Sequence, residues 1–194
     1  MQQEGDVKRL LRHVGRAQGI IRRYFVTNGF DGALTMLGLM VGFHSSGNVT
    51  LPVAITACLS AAVALCMSGL SSAYLSETAE RKKELQDLEQ ALLSDLSKSD
   101  YGKASRFVPV LVAMVNGLSP LGISLLIIAP VWLAERDIQL PLPPFLLAIS
   151  IALFIILMLG IMLGRLSNEF WLWTGIRTLA IAGVTMLVIL SFNI

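Results

Sequence analysis

The side chain with the most chemistry to offer is Asp31. It sits in Asn28-Gly29-Phe30-Asp31-Gly32-Ala33-Leu34-Thr35-Met36-Leu37-Gly38, a stretch that otherwise reads as membrane-buried. A charge at bilayer depth costs several kcal/mol by most estimates, so an intramembrane carboxylate is a functional-site hypothesis by default. No other Asp or Glu lies deep within an apolar run. A second group of acids, Glu77, Glu80, Glu84 and Asp87, recurs three or four residues apart. That spacing puts them on one face of a helix. Arg81, Lys82 and Lys83 are interleaved with them. Two readings stand for this row: a solvated face, or an attractor for cations at the mouth of a polar path.

The elements that position these groups follow from composition. The chain is 55% hydrophobic and 14% charged, with mean hydropathy +0.71. Soluble domains are about 25% charged. The apolar residues come in long blocks, which predicts an all-α integral membrane protein. Spans are expected at about 25–43, 51–76, 107–134, 145–164 and 171–192. From Arg23 to His44 is ~31 Å of helix, against a hydrocarbon core of ~30 Å, and Asp31 lies ~12 Å in from the Arg23 edge.

Residues 1–24 form a separate basic segment ahead of the membrane domain, 25–194. Val7, Leu10, Leu11, Val14, Ile21 and Phe25 recur at helical spacing, with Lys8, Arg12, Arg16 and Arg23 opposite. This predicts an amphipathic helix over 7–25 lying on an anionic membrane face. No secretory signal peptide is expected, because the start has no apolar core followed by a cleavage site. The second span is expected to continue from Glu77 to about Leu96 as a helix in water, within a 77–106 loop. That stretch is rich in Glu, Lys, Gln and Leu and has no Gly or Pro.

Ser60, Ala64, Ser68, Ser72 and Ser76 make a stripe of small residues on the second span. Such a stripe lets another helix approach closely, or lines a polar path. Pro109, Pro120 and Pro130 fall in the third span, where each frees a backbone carbonyl. Gly160 and Gly164 hint at a close helix contact. Cys58 and Cys66, ~12 Å apart on one helix, are too distant for a disulfide and read as packing residues.

Five spans put the termini on opposite sides. All of the 15 Lys and Arg except Arg136 then fall with the amino terminus. The positive-inside bias makes that side cytoplasmic and the carboxyl terminus external, in a multi-pass cell-membrane protein.

No hydrolase, zinc-protease or P-loop motif occurs, so the chain is not expected to be an enzyme or to carry a resident cofactor. Asp31-Gly32 could open the motif of CDP-alcohol lipid transferases. Those enzymes need further aspartates at helical spacing, and 32–76 has none.

Asp31-Gly32-Ala33-Leu34-Thr35-Met36-Leu37-Gly38 instead resembles the first-span motif of the vacuolar iron transporter family. Tyr74-Leu75-Ser76-Glu77-Thr78-Ala79-Glu80 resembles the end of that family's second span. Leu159-Gly160-Ile161-Met162-Leu163-Gly164-Arg165-Leu166-Ser167, followed by Thr174-Gly175-Ile176-Arg177, resembles its fourth-to-fifth junction. The resemblance covers nearly the whole chain, as a prokaryotic-type member with a short cytoplasmic loop. It implies a homodimer in the lipid bilayer that moves Fe²⁺ or Mn²⁺ out of the cytoplasm, with proton exchange in relatives. The metal is cargo, and no nucleic-acid partner is expected.

The family's first-span aspartate maps onto Asp31. Its second-span methionine aligns with Gly69, with Met67 two residues early, and a glutamate before the first span aligns with Ile20. Glu80 and Glu84 are the best counterparts of the acidic loop insert of plant relatives. Beside the resemblance, Fe²⁺ and Mn²⁺ suit oxygen donors, with thioether possible for Fe²⁺. Asp31, Thr35 and Asn116 could supply oxygen, Met36 and Met67 sulfur, and Glu77, Glu80 and Glu84 an acidic approach. A dimer axis pairing two Asp31 residues would enlarge a small ligand set. Two other functions stay open. One is a non-transporting scaffold or metal sensor working through the Glu77–Asp87 helix. The other is a transporter of another solute, with Asp31 carrying protons.

Overall fold

The computed structural model describes residues 2–167 and 169–192, with the side chains of 2–18 and of Ile20 outside the description. The described residues form five helices and no strand: α1 Gln2–Ser46, α2 Leu51–Leu92, α3 Asp100–Glu135, α4 Pro144–Leu166 and α5 Trp171–Ser191. Four of them, α2 to α5, are long and apolar enough to cross a membrane. By length and composition this is a multi-pass membrane protein. Helix α1 is not among the four. Asn28, Asp31 and the glycines around them dilute its apolar run.

Helix α1 is continuous through the boundary at which the basic segment was expected to give way to a span. The amphipathic division expected over 7–25 lies mostly outside the described side chains. In its last turn, Ile21 and Tyr24 are half-buried against a small core of Ala73, Val108, Val112 and Ala113. The main core is built from all five helices. Met36, Leu37 and Met40 of α1 meet Ala54 and Cys58 of α2, Ile127 and Val131 of α3, Ala152 and Ile156 of α4, and Ala182 of α5. Both cysteines are free and buried, as their spacing required.

Two helix ends differ from expectation for local reasons. Helix α2 stops at Leu92 rather than near Leu96. Leu93 turns into the left-handed region (φ 49°) and donates its N–H to the Glu89 carbonyl, and the Glu89 carboxylate then accepts the Leu96 N–H at 2.9 Å. Helix α3 starts at Asp100, well before its apolar part, because the Ser99 hydroxyl accepts the Gly102 N–H at 3.1 Å. That is the usual saving of an orphan helix donor. The three prolines all remain inside α3. The Gly160/Gly164 spacing does mark a close contact, between α4 and α5. A Cβ on Gly164 would lie 2.8 Å from the Trp171 Cα.

Candidate functional site

Helix α1 is held flat against α3, and that contact decides where Asp31 faces. A Cβ on Gly32 would lie 2.8 Å from both the Cα and the carbonyl oxygen of Pro120. The backbones approach so closely that only hydrogen fits there. Ser119 adds a hydroxyl donated to the Phe25 carbonyl at 2.7 Å. Val26, Gly29, Ala33, Met36 and Leu37 share the buried side. Asp31, about 100° around the helix from Gly32, emerges on the open side with Thr27 and is exposed. No hydrogen bond or ion pair joins it to a described residue.

One turn before Asp31, a polar seam crosses three helices. The Asn28 amide donates to the Asn116 side-chain oxygen and to the Tyr24 carbonyl at 3.0 Å. Asn116 in turn donates to the Gly69 carbonyl at 2.7 Å. Pro120 has no N–H, so the Asn116 carbonyl lacks its intrahelical partner. The Gly69 backbone fills the space beside it, where a Cβ would sit 2.9 Å from that oxygen. The seam is closed on itself: Asn116 is 4% exposed, with both amide ends engaged.

The seam also sets depth. Asn28 and Gly69 are level with Asn116, and α1 and α2 join through a short turn at 47–50. Counting ~1.5 Å per residue toward that turn, Asp31 lies ~4.5 Å and Met67 ~3 Å beyond the seam. The two are therefore nearly level. Met67 is 57% exposed, on the open side of α2 with Ser60, Ala64, Ser68 and Ser71. The Ser71 hydroxyl donates to the Met67 carbonyl at 2.8 Å and Ser72 to the Gly69 carbonyl at 3.4 Å. These hydroxyls are thus satisfied on their own helix while keeping lone pairs to offer.

The other expected ligands fall into different environments. Thr35, one turn past Asp31, is half-buried on the same helix side. Met36 is fully buried in the main core with Leu37 and Met40, turned away from Asp31, so its sulfur packs rather than presents. Asn28 and Ser119 were not among the candidates. Their partners lie 88 and 94 residues away in sequence, beyond any periodicity. An Asn inside an apolar stretch was the available signal for Asn28.

Two of the four acids in the row on α2 are paired. Glu77 is 5% exposed and its carboxylate lies 3.5 Å from the Arg81 Nε. The other side of Arg81 reaches Glu84, at 2.9 Å. The Tyr101 hydroxyl of α3 donates to that same Glu84 oxygen at 3.3 Å. Burial first, then the Glu84 charge, push the Tyr101 hydroxyl above its ordinary value of 10.0. Glu80 and Asp87 remain exposed. Among the described residues, no three His, Cys, Asp or Glu side chains group closely enough to hold a metal ion.

No family model matches this chain, and no solved structure matches it. The chain is 31% identical over 175 residues to the uncharacterized protein MJ0645 of Methanocaldococcus jannaschii. The match covers 89% of this chain and 87% of that protein.

Proposed function

The chain belongs to one family with this archaeal protein, and from the placement of Asp31 we propose that it transports Fe²⁺ or Mn²⁺ out of the cytoplasm as a homodimer. One observation carries the reading. Asp31 is exposed on the open side of α1 and unpartnered among the described residues, one turn from a polar seam whose side-chain amides bond to one another and to backbone carbonyls without engaging it. A lone intramembrane carboxylate is costly. A second copy related by a two-fold axis would place another Asp31 opposite, and two carboxylates neutralise one divalent cation.

Residues 25–43 are then the fifth span, the amino terminus is cytoplasmic and the carboxyl terminus external. The Lys and Arg distribution supports that orientation. Cation–π pairs support the membrane boundaries. Arg136 stacks over Trp132 at one end, and Arg165 and Arg177 over Trp171 and Trp173 at the other. Thr35 and the open face of α2, with Met67 level with Asp31, would complete the coordination. Oxygen donors suit both metals, and the thioether favours Fe²⁺. Release of metal leaves two adjacent carboxylates, which take up a proton readily because like charges repel. That couples outward metal flux to inward proton flux. The resemblance to vacuolar iron transporters supports the same assignment.

The rival scaffold or sensor reading needs free carboxylates on the acidic helix, and Arg81 takes two of them. Flux into proteoliposomes tests the proposal. Wild type moves Fe²⁺ and Mn²⁺, and Asp31→Asn does not. Equal flux through Asp31→Asn removes the site, and no flux through wild type removes the function.

A further inference from the structure

Where α2 leaves its apolar part, a cavity of about 480 Å³ opens between it and the start of α3. Tyr74, Thr78 and Lys82 of α2 face Ser105, Arg106 and Pro109 of α3 across it. The Gly69–Asn116 and Glu84–Tyr101 contacts set one antiparallel register for the two helices. In that register Arg106 is level with Ala79, and Lys82 lies three residues further out, ~4.5 Å along the axis. The two cations therefore flank one position, and neither makes an ion pair with a described residue.

Carboxylates also line the cavity, but at its far end. Glu89 is seven residues beyond Lys82, ~10 Å further from the apolar part. Its carboxylate accepts the Leu96 N–H at 2.9 Å, and that of Asp95 accepts the Ser97 N–H at 2.8 Å. The end next to the membrane keeps Lys82 and Arg106, with the Thr78 hydroxyl one residue inside the Arg106 level on α2. Tyr74 is 47% exposed at the rim, at the depth where tyrosine favours the headgroup layer.

From this arrangement we propose that the groove binds a phosphate group, supplied by the headgroup of an anionic phospholipid. Arginine and lysine are the usual phosphate partners, and basic pockets between helices at a membrane surface hold lipid headgroups. A bound lipid here would brace the α2 extension against α3 at the point where both leave the bilayer. This site is independent of Asp31 and of any transported metal.

Native mass spectrometry of the full chain in detergent, with phosphatidylglycerol or phosphatidylcholine added, tests it. Wild type should retain phosphatidylglycerol at least tenfold more tightly than phosphatidylcholine. Lys82→Gln with Arg106→Gln should abolish that preference, roughly a tenfold loss or more. Lys82→Arg with Arg106→Lys should keep it. Lys83→Gln, which removes one charge from α2 outside the groove, should also keep it. Circular dichroism confirms that each variant remains helical. Displacement of the lipid by millimolar inorganic phosphate would support the phosphate site and assign it to a soluble ligand instead. Equal retention of the two lipids by wild type, or a preference unchanged in Lys82→Gln with Arg106→Gln, would overturn the proposal.

Discussion

Asp31 on α1 and the Glu77–Glu84 segment of α2 present the same functional group in opposite circumstances. The carboxylate in the apolar stretch is open. In the charged stretch Glu77 and Glu84 are closed, because Arg81 lies one turn after Glu77 and three residues before Glu84 and forms an ion pair with each. Simple solvation would predict the reverse. The difference lies in what stands one turn away. Asp31 has Thr27 and Thr35 as its four-residue neighbours and no cation, whereas Glu77 has Arg81. A row of acids is thus not a row of ligands, and one acid without a cation neighbour is the better candidate.

Charge removal at each place separates the two regions most strongly. Asp31→Asn should lower metal flux by roughly 100-fold or more, since even residues that only support a metal ligand are worth 10- to 100-fold. Its melting temperature in detergent should stay unchanged, as Asp31 bonds to no described residue. A large loss of stability would mean that Asp31 is structural. Arg81→Leu should do the opposite. It leaves the buried Glu77 carboxylate without its cation, so stability should fall by about 1–3 kcal/mol, with flux per folded molecule retained. Melting temperature and flux measured on one preparation check both halves.

Tyr101→Phe is a smaller perturbation of the closed region, removing one partly exposed hydrogen bond worth about 1 kcal/mol. It also carries a pH signature. The Tyr101 hydroxyl is held above its ordinary 10.0, so the folded chain keeps a proton that the unfolded chain releases. That contribution to stability is complete below pH 10 and is lost as pH rises through the folded value. Wild type should therefore lose melting temperature in that range more steeply than Tyr101→Phe. Glu80→Gln should have the least effect. Its carboxylate is exposed and unpaired among the described residues, so flux should change by less than about twofold. Metal binding that survives Asp31→Asn but disappears with Glu80→Gln would favour the sensor reading.

How much of this was legible before the structure follows from the range of each signal. The long apolar blocks predicted α2 to α5, and the Gly/Pro-free stretch after Ser76 predicted that α2 continues past its apolar part. The Gly160/Gly164 spacing marked a contact that does form. Met36 in the core could have been read from its spacing to Ala33, Leu37 and Met40, all on one helical face. The Ser99 cap that starts α3 early was also a local signal. What stayed hidden was long-range. Periodicity along α1 does not say that Asn28 meets Asn116, or that Gly32 lies on Pro120. Those contacts turn Asp31 outward. Arg81 was visible as an interleaved cation, but which acids it would bond depended on side-chain direction and on Tyr101 arriving from α3.

The central claim is that two Asp31 carboxylates hold the transported metal at a two-fold axis. Anomalous diffraction from crystals soaked in Mn²⁺ measures it directly. A single peak between the two Asp31 side chains, lost in Asp31→Asn, is the predicted result. A peak confined to the Glu80–Glu84 segment, with none near Asp31, would contradict it.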